Sequence, residues 1–112
     1  MPEPRLKTQI WVQAQVRLLD VHSIPVAVAK RGDPDAGAVL LRLLRAERKC
    51  LLVRRHTRPD GSSGWMAAGS GQAMDEAAAD AQVAREIGRD PDLWVIEVDD
   101  PKERYWPDRP IA

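Results

Sequence analysis

In Ala38-Val39-Leu40-Leu41-Arg42-Leu43-Leu44-Arg45, apolar side chains fall on both parities: Val39, Leu41 and Leu43 on one, Leu40 and Leu44 with Arg42 on the other. Successive side chains of a strand point to opposite faces, so this segment reads as a strand covered on both sides. After Ala46-Glu47-Arg48 a second apolar run, Lys49 to Arg55, reads as its antiparallel neighbour. The loop Thr57-Arg58-Pro59-Asp60-Gly61-Ser62-Ser63-Gly64 then leads to a short strand, Trp65 to Ala68, which completes a meander.

Downstream, Gly69-Ser70-Gly71 stops that strand and a helix follows. Asp75 and Glu76 complement its dipole, Ala77, Ala81, Ala84 and Ile87 form its apolar stripe, and Gly88 with Asp90-Pro91 ends it. Leu93 to Val98 reads as the last strand, with Trp94, Ile96 and Val98 inward and Leu93, Val95 and Glu97 on the other side. Upstream, Val26 and Val28 alternate with Ala27 and Ala29. The turn-rich Gly32-Asp33-Pro34-Asp35-Ala36-Gly37 then reads as a hairpin turn into Ala38–Arg45. Ahead of Pro25, Ile10, Trp11, Ala14, Leu18 and Val21 recur at helical spacing over Gln9 to Val21, with Thr8 as N-cap. The expected fold is one α+β domain over residues 1–112, ordered α-β-β-β-β-α-β. It has a mainly antiparallel sheet of about five strands, both helices on one face, and 101–112 as a surface-lying or frayed tail.

At 112 residues and 44% hydrophobic content the chain is long enough for one core, which excludes a multidomain enzyme. The single Cys50 excludes an intramolecular disulfide and a cysteine-rich zinc site, and points to a reducing, cytoplasmic setting. The longest apolar runs are four residues, far below the ~18 that span a bilayer, and Met1 to Arg5 has no apolar signal region. No membrane partner is expected. The net charge of zero hides a segregation. Met1–Arg58 holds 12 basic and 5 acidic residues and Pro59–Ala112 holds 5 and 12, so the halves carry +7 and −7 and either pair internally or form two surface patches.

Three blocks, Arg5-Leu6-Lys7-Thr8-Gln9-Ile10-Trp11-Val12, Arg31-Gly32-Asp33-Pro34-Asp35-Ala36-Gly37-Ala38-Val39 and Asp90-Pro91-Asp92-Leu93-Trp94-Val95-Ile96-Glu97, resemble an alphaproteobacterial family, domain of unknown function 1491. The resemblance implies a single-domain, bacterial, cytoplasmic protein and carries no activity, cofactor or catalytic residue.

The catalytic motifs fail on chemistry. Gly69 to Ile87 has the glycine loop and Arg85-Glu86-Ile87 of a Nudix box, but Gly88-Arg89-Asp90 stands where that box needs further carboxylates for Mg²⁺. Asp33-x-Asp35-x-Gly37 opens like a calcium loop, yet its twelfth position is Leu44 and no bidentate Glu closes it. Ser70 lacks the glycines of a nucleophile elbow, since Ala68 and Gln72 occupy those places. Cys50 with His22 or His56 remains as raw material for an unrecognised hydrolase site, and the two histidines make no recognisable metal pair. No catalytic residue, cofactor or metal is assigned.

The expected function is a non-catalytic protein-binding or regulatory module with a protein partner or self-association. Its candidate residues are polar turns flanking rigid strands: Arg31, Asp33 and Asp35, then Asp90 and Asp92. Arg54 and Arg55 and the outlying Trp106 complete the set. The alternative is nucleic-acid binding through residues 42–58, where Arg42, Arg45, Arg48, Lys49, Arg54, Arg55 and Arg58 oppose only Glu47.

Overall fold

A computed structural model describes residues 6–57, 59–69 and 71–112. Arg58 of the basic run and Ser70 lie outside the described residues. The elements follow the expected order: α1 (Thr8–Val21), β1 (Val26–Lys30), β2 (Val39–Leu44), a 3₁₀ turn (Ala46–Arg48), β3 (Cys50–Thr57), β4 (Ser63–Ala67), α2 (Glu76–Arg89) and β5 (Trp94–Asp99). This is an α+β domain on a five-stranded mixed sheet.

The strand order is β1-β5-β2-β3-β4. β2, β3 and β4 form the expected meander, but the expected β1–β2 hairpin does not exist. The last strand inserts between them, antiparallel to β1 and parallel to β2, with Val39 beside Trp94 and Leu43 beside Val98. Burial explains the insertion. Leu93 to Ile96 and Val98 are all buried, so β5 needs cover on both faces and a neighbour on both edges, which only a central position provides.

The helices cover opposite faces, which corrects the expectation of one. Trp11, Val12 and Leu19 of α1 pack on Val39, Leu41, Leu43, Val53, Trp94, Ile96 and Val98. Val83 and Ile87 of α2 pack on the other parity, Leu40, Leu52, Leu93 and Val95. Two-sided burial of β2 and β5 demands this arrangement. The stripes differ from expectation as well. On α1 the inward residues are Trp11, Val12 and Leu19, while Ile10, Leu18 and Val21 are exposed. On α2, Ala77, Ala81 and Ala84 face solvent, and Ala79, Val83 and Ile87 face the sheet.

Thr8 does not cap α1. Its hydroxyl donates to the Gly37 carbonyl at 2.7 Å, and the helix's free N–H groups are met by the β1–β2 loop instead. Thr8 N donates to Asp35 O (3.2 Å) and Gln9 N to Pro34 O (2.9 Å). At the start of α2, Asp75 is the cap, its carboxylate accepting from Ala78 N at 2.8 Å.

Residues 101–112 form a strap over the α1 side rather than a frayed tail, with Tyr105 and Pro107 fully buried. Asp100, itself buried, accepts from Tyr105 N (2.9 Å), Arg104 N (3.1 Å) and the Arg45 guanidinium (2.7 Å). Arg45 also donates to the Tyr105 carbonyl at 3.2 Å. At the far end Asp108 accepts from the indole N–H groups of Trp11 (3.1 Å) and Trp65 (2.7 Å), whose rings stack at 5.1 Å. The sequence could not show the strap as part of the core, because a buried segment without regular structure satisfies its backbone one group at a time.

Candidate functional site

A groove of about 510 Å³ lies between α1 and the β1 margin of the sheet. Its apolar floor is Val12 and Val16 of α1, Val28 of β1 and Trp94 of β5. Its rim is polar, with Gln13, Arg17 and Asp20 on the helix side and Arg31 at the end of β1. Val28 is 39% exposed at the floor. β1 is an edge strand of the sheet, so among the described residues no strand pairs with its outer backbone edge.

Arg31 enters the groove because the loop after β1 is pinned against the start of β5. Asp33 N donates to Asp92 O at 3.0 Å, and the Trp94 indole N–H donates to Asp33 O at 2.7 Å. The Lys30 ammonium donates to the carbonyls of Pro91 (2.7 Å) and Leu93 (3.0 Å). The backbones approach so closely that a Cβ on Gly32 would stand 2.1 Å from Asp92 O, and one on Gly37 2.6 Å from the same atom. The Arg31 guanidinium lies over the Trp94 ring, 5.8 Å from its centre.

The two polar turns named from sequence therefore do meet in space, but the carboxylates of Asp33 and Asp90 serve the turns. Asp33 accepts from Ala36 N (2.8 Å), and Asp90 from Asp92 N (3.1 Å). Asp35 stands 3.6 Å from the exposed Lys7 ammonium. Of this set, Arg31 alone lines the groove; Val12, Val16, Val28 and Trp94 were missed as site residues because apolar side chains in regular elements read as core. Trp106 packs against the α1-side core with Arg109 over its ring at 5.6 Å.

A model of proteins of unknown function, DUF1491, matches residues 6–106. The chain belongs to the DUF1491 family. It is similar to the crystal structure of a DUF1491 family protein from Caulobacter crescentus CB15, at 37% identity over 86% of this chain and 89% of that one, with a TM-score of 0.78. An NMR structure of a DUF1491 family protein from the same organism is 33% identical over 98% and 99% of the two chains, with a TM-score of 0.83. A solution structure from A. tumefaciens shares the fold at 23% identity over 97% and 100% of the chains, with a TM-score of 0.75. No curated protein matches the chain.

In this DUF1491 chain the segregated charges pair internally. Arg42 meets Asp80 (2.6 Å), Arg45 meets Asp100 (2.7 Å), Arg48 meets Glu76 (3.2 Å), Arg54 meets Glu86, and Arg55 meets Asp108 (3.8 Å). Each pair joins the basic half of the sequence to the acidic half. Arg54 and Arg55 lie on opposite faces of β3: Arg54 reaches α2, while Arg55 stacks over Trp11 and Trp65 at 5.5 and 5.1 Å.

A second groove of about 390 Å³ opens on the α2 side, lined by Arg42, Cys50, Glu76, Asp80 and Glu97 among others. Burial works against the charge on Arg42, but the hydrogen bonds with Asp80 and Cys50 outweigh it and hold the pKa above the ordinary guanidinium value. The sequence candidates for a thiol–imidazole pair stay apart. Cys50 and His56 stand six residues apart on β3, about 20 Å, and His22 follows the end of α1. Among the described residues no group of three or more His, Cys, Asp or Glu is placed to hold a metal, and no helix is long and apolar enough to cross a membrane.

Proposed function

We propose that this chain is a non-catalytic docking module that receives an extended polypeptide segment in the α1–β1 groove. The observation that carries the reading is the coincidence of an open strand edge with an apolar floor. An added strand gains backbone hydrogen bonds from β1, while alternate side chains reach Val12, Val16, Val28 and Trp94, the two components of recognition by strand addition. Arg31, Arg17 and Asp20 on the rim supply orientation. Nucleic-acid binding through residues 42–58 is the weaker reading, because Arg42, Arg45, Arg48, Arg54 and Arg55 already face carboxylates.

Selection from a random peptide library displayed on phage tests the reading. The chain enriches peptides with apolar residues at alternate positions, and Val16→Lys, which puts a charge on the floor from the α1 side, abolishes the enrichment in a variant that circular dichroism shows to be folded. Failure to enrich any peptide by a chain that is also monomeric, or enrichment indifferent to Val16→Lys, overturns it.

A further inference from the structure

Resting on that docking reading, we propose that the occupant of the groove is a second copy of this chain, joined by antiparallel pairing of the two β1 strands about a two-fold axis at Ala27. The hydrogen-bond parity of β1 fixes this register. Pro25 O accepts from Asp99 N at 2.9 Å, so the backbone groups of Pro25 and Ala27 turn towards β5 while those of Val26 and Val28 turn outward. The register then breaks by a bulge between Val28 and Lys30, and the Lys30 ammonium is committed to the carbonyls of Pro91 and Leu93. The usable edge is therefore Val26 to Val28. With the axis at Ala27, Val26 of each copy opposes Val28 of the other, and each pair exchanges two N–H···O bonds.

Side chains and charges agree with that register. Val26 and Val28 pair with Val98 and Ile96, which face α1, so both valines point to the α1 side of the sheet, where Val28 lines the groove. Their counterparts in the second copy would extend the apolar floor, and Ala27 presents only a methyl group on the axis. The groove is also polar along its length. α1 runs back along β1, from the contacts of Thr8 and Gln9 with Asp35 and Pro34 to the bond from Ile24 N to Leu19 O. Asp20 thus stands at the β1 entrance and Arg31 at its exit. Antiparallel pairing at Ala27 brings the Arg31 end of one copy towards the Ser23 turn of the second, where Ser23 N donates to Asp20 O at 3.0 Å, and the same approach repeats across the axis. Arg17 lies about 4.5 Å along the helix from Asp20, nearer the axis. A surface whose two ends carry opposite charges and whose middle is apolar is complementary to itself after a two-fold rotation, which is what an isologous interface requires.

Sedimentation equilibrium of the full chain from micromolar to millimolar concentration tests the proposal, with circular dichroism confirming that each variant is folded. The expected result is a reversible monomer–dimer equilibrium. Val28→Pro removes an outward N–H from an edge position that tolerates proline and weakens the dimer at least about tenfold. Arg31→Glu weakens it about tenfold, and adding Asp20→Arg to Arg31→Glu restores it, because the swapped charges meet again across the axis. A chain that stays monomeric at millimolar concentration overturns the proposal, as does a dimer indifferent to Val28→Pro or a charge swap without rescue. Failure of the docking reading looks different. A monomer that still enriches peptides through Val16 overturns the second copy alone, whereas loss of peptide enrichment with no dimer overturns both.

Discussion

Replacing Asp100 by alanine is the most incisive perturbation of this fold. The carboxylate is 2% exposed and accepts three hydrogen bonds, from the Arg45 guanidinium at 2.7 Å and from the backbone of Tyr105 and Arg104 at 2.9 and 3.1 Å. Without it, the Arg45 side chain, only 9% exposed, keeps its charge in the interior with Glu103 at 4.0 Å as the nearest carboxylate. Breaking a buried pair by removing one partner costs about 3–5 kcal/mol, and a chain of this length has roughly 6–17 kcal/mol in total. At about 2 cal/mol/K per residue of unfolding entropy, the midpoint falls by about 13–22 °C. Thermal unfolding followed by far-ultraviolet circular dichroism measures this. A companion cycle uses Arg45→Met, which removes the stranded charge, so Arg45→Met costs less in the Asp100→Ala background than in the parent. A loss below about 1 kcal/mol for Asp100→Ala, or strict additivity in the cycle, would refute the view that this pair anchors the strap.

Three further outcomes are expected. Burial, with the negative charge of Asp108 adding to it, raises the pKa of Tyr105, the sole tyrosine, above the ordinary phenol range; the folded state then holds a proton that the unfolded state loses, so stability falls as pH rises above about 10, by up to ~1.4 kcal/mol per unit. Tyr105→Phe removes that dependence in denaturant titrations at alkaline pH. Gly32→Ala costs about 1–3 kcal/mol by chemical denaturation, because its methyl meets backbone at Asp92, whereas Gly88→Ala in the open last turn of α2 gains up to about 1 kcal/mol. Gel shifts show no salt-dependent affinity for DNA or RNA at moderate ionic strength, since the arginines that would release counterions are already paired.

The strands and their parities were legible in the sequence because alternation of side chains is a local property, and Val39 to Leu44 and Trp94 to Val98 carry it on both faces. The pairing of strands was not. Arg31 to Gly37 has the composition of a hairpin turn, but Gly32 and Gly37 serve close backbone contact with Asp92 and neither adopts a positive φ. Composition reports the small residue and not the reason for it. The α1 stripe failed for a related cause: the helix carries two apolar stripes, and only the tertiary partners Trp65 and Asp108 show which one holds Trp11. For the groove, Arg31 was legible as a polar turn residue, whereas the floor required knowing that β1 is an edge. Internal pairing of the two charged halves was one of two readings, and the cross-half ion pairs of Arg42, Arg45, Arg48, Arg54 and Arg55 select it.

The central placement of β5 has a consequence for how the molecule is made. A chain emerging from the ribosome presents β1 and β2 long before the strand that belongs between them, and each meanwhile offers an open edge to the other. The turn-like Arg31–Gly37 segment favours that premature hairpin, so the nascent chain must either be held apart or unzip a misregistered pair when Trp94 to Asp99 arrives. Gly32 and Gly37, by admitting Asp92 and Trp94 between the loop's own backbone atoms, favour the interleaved outcome once the final strand is present.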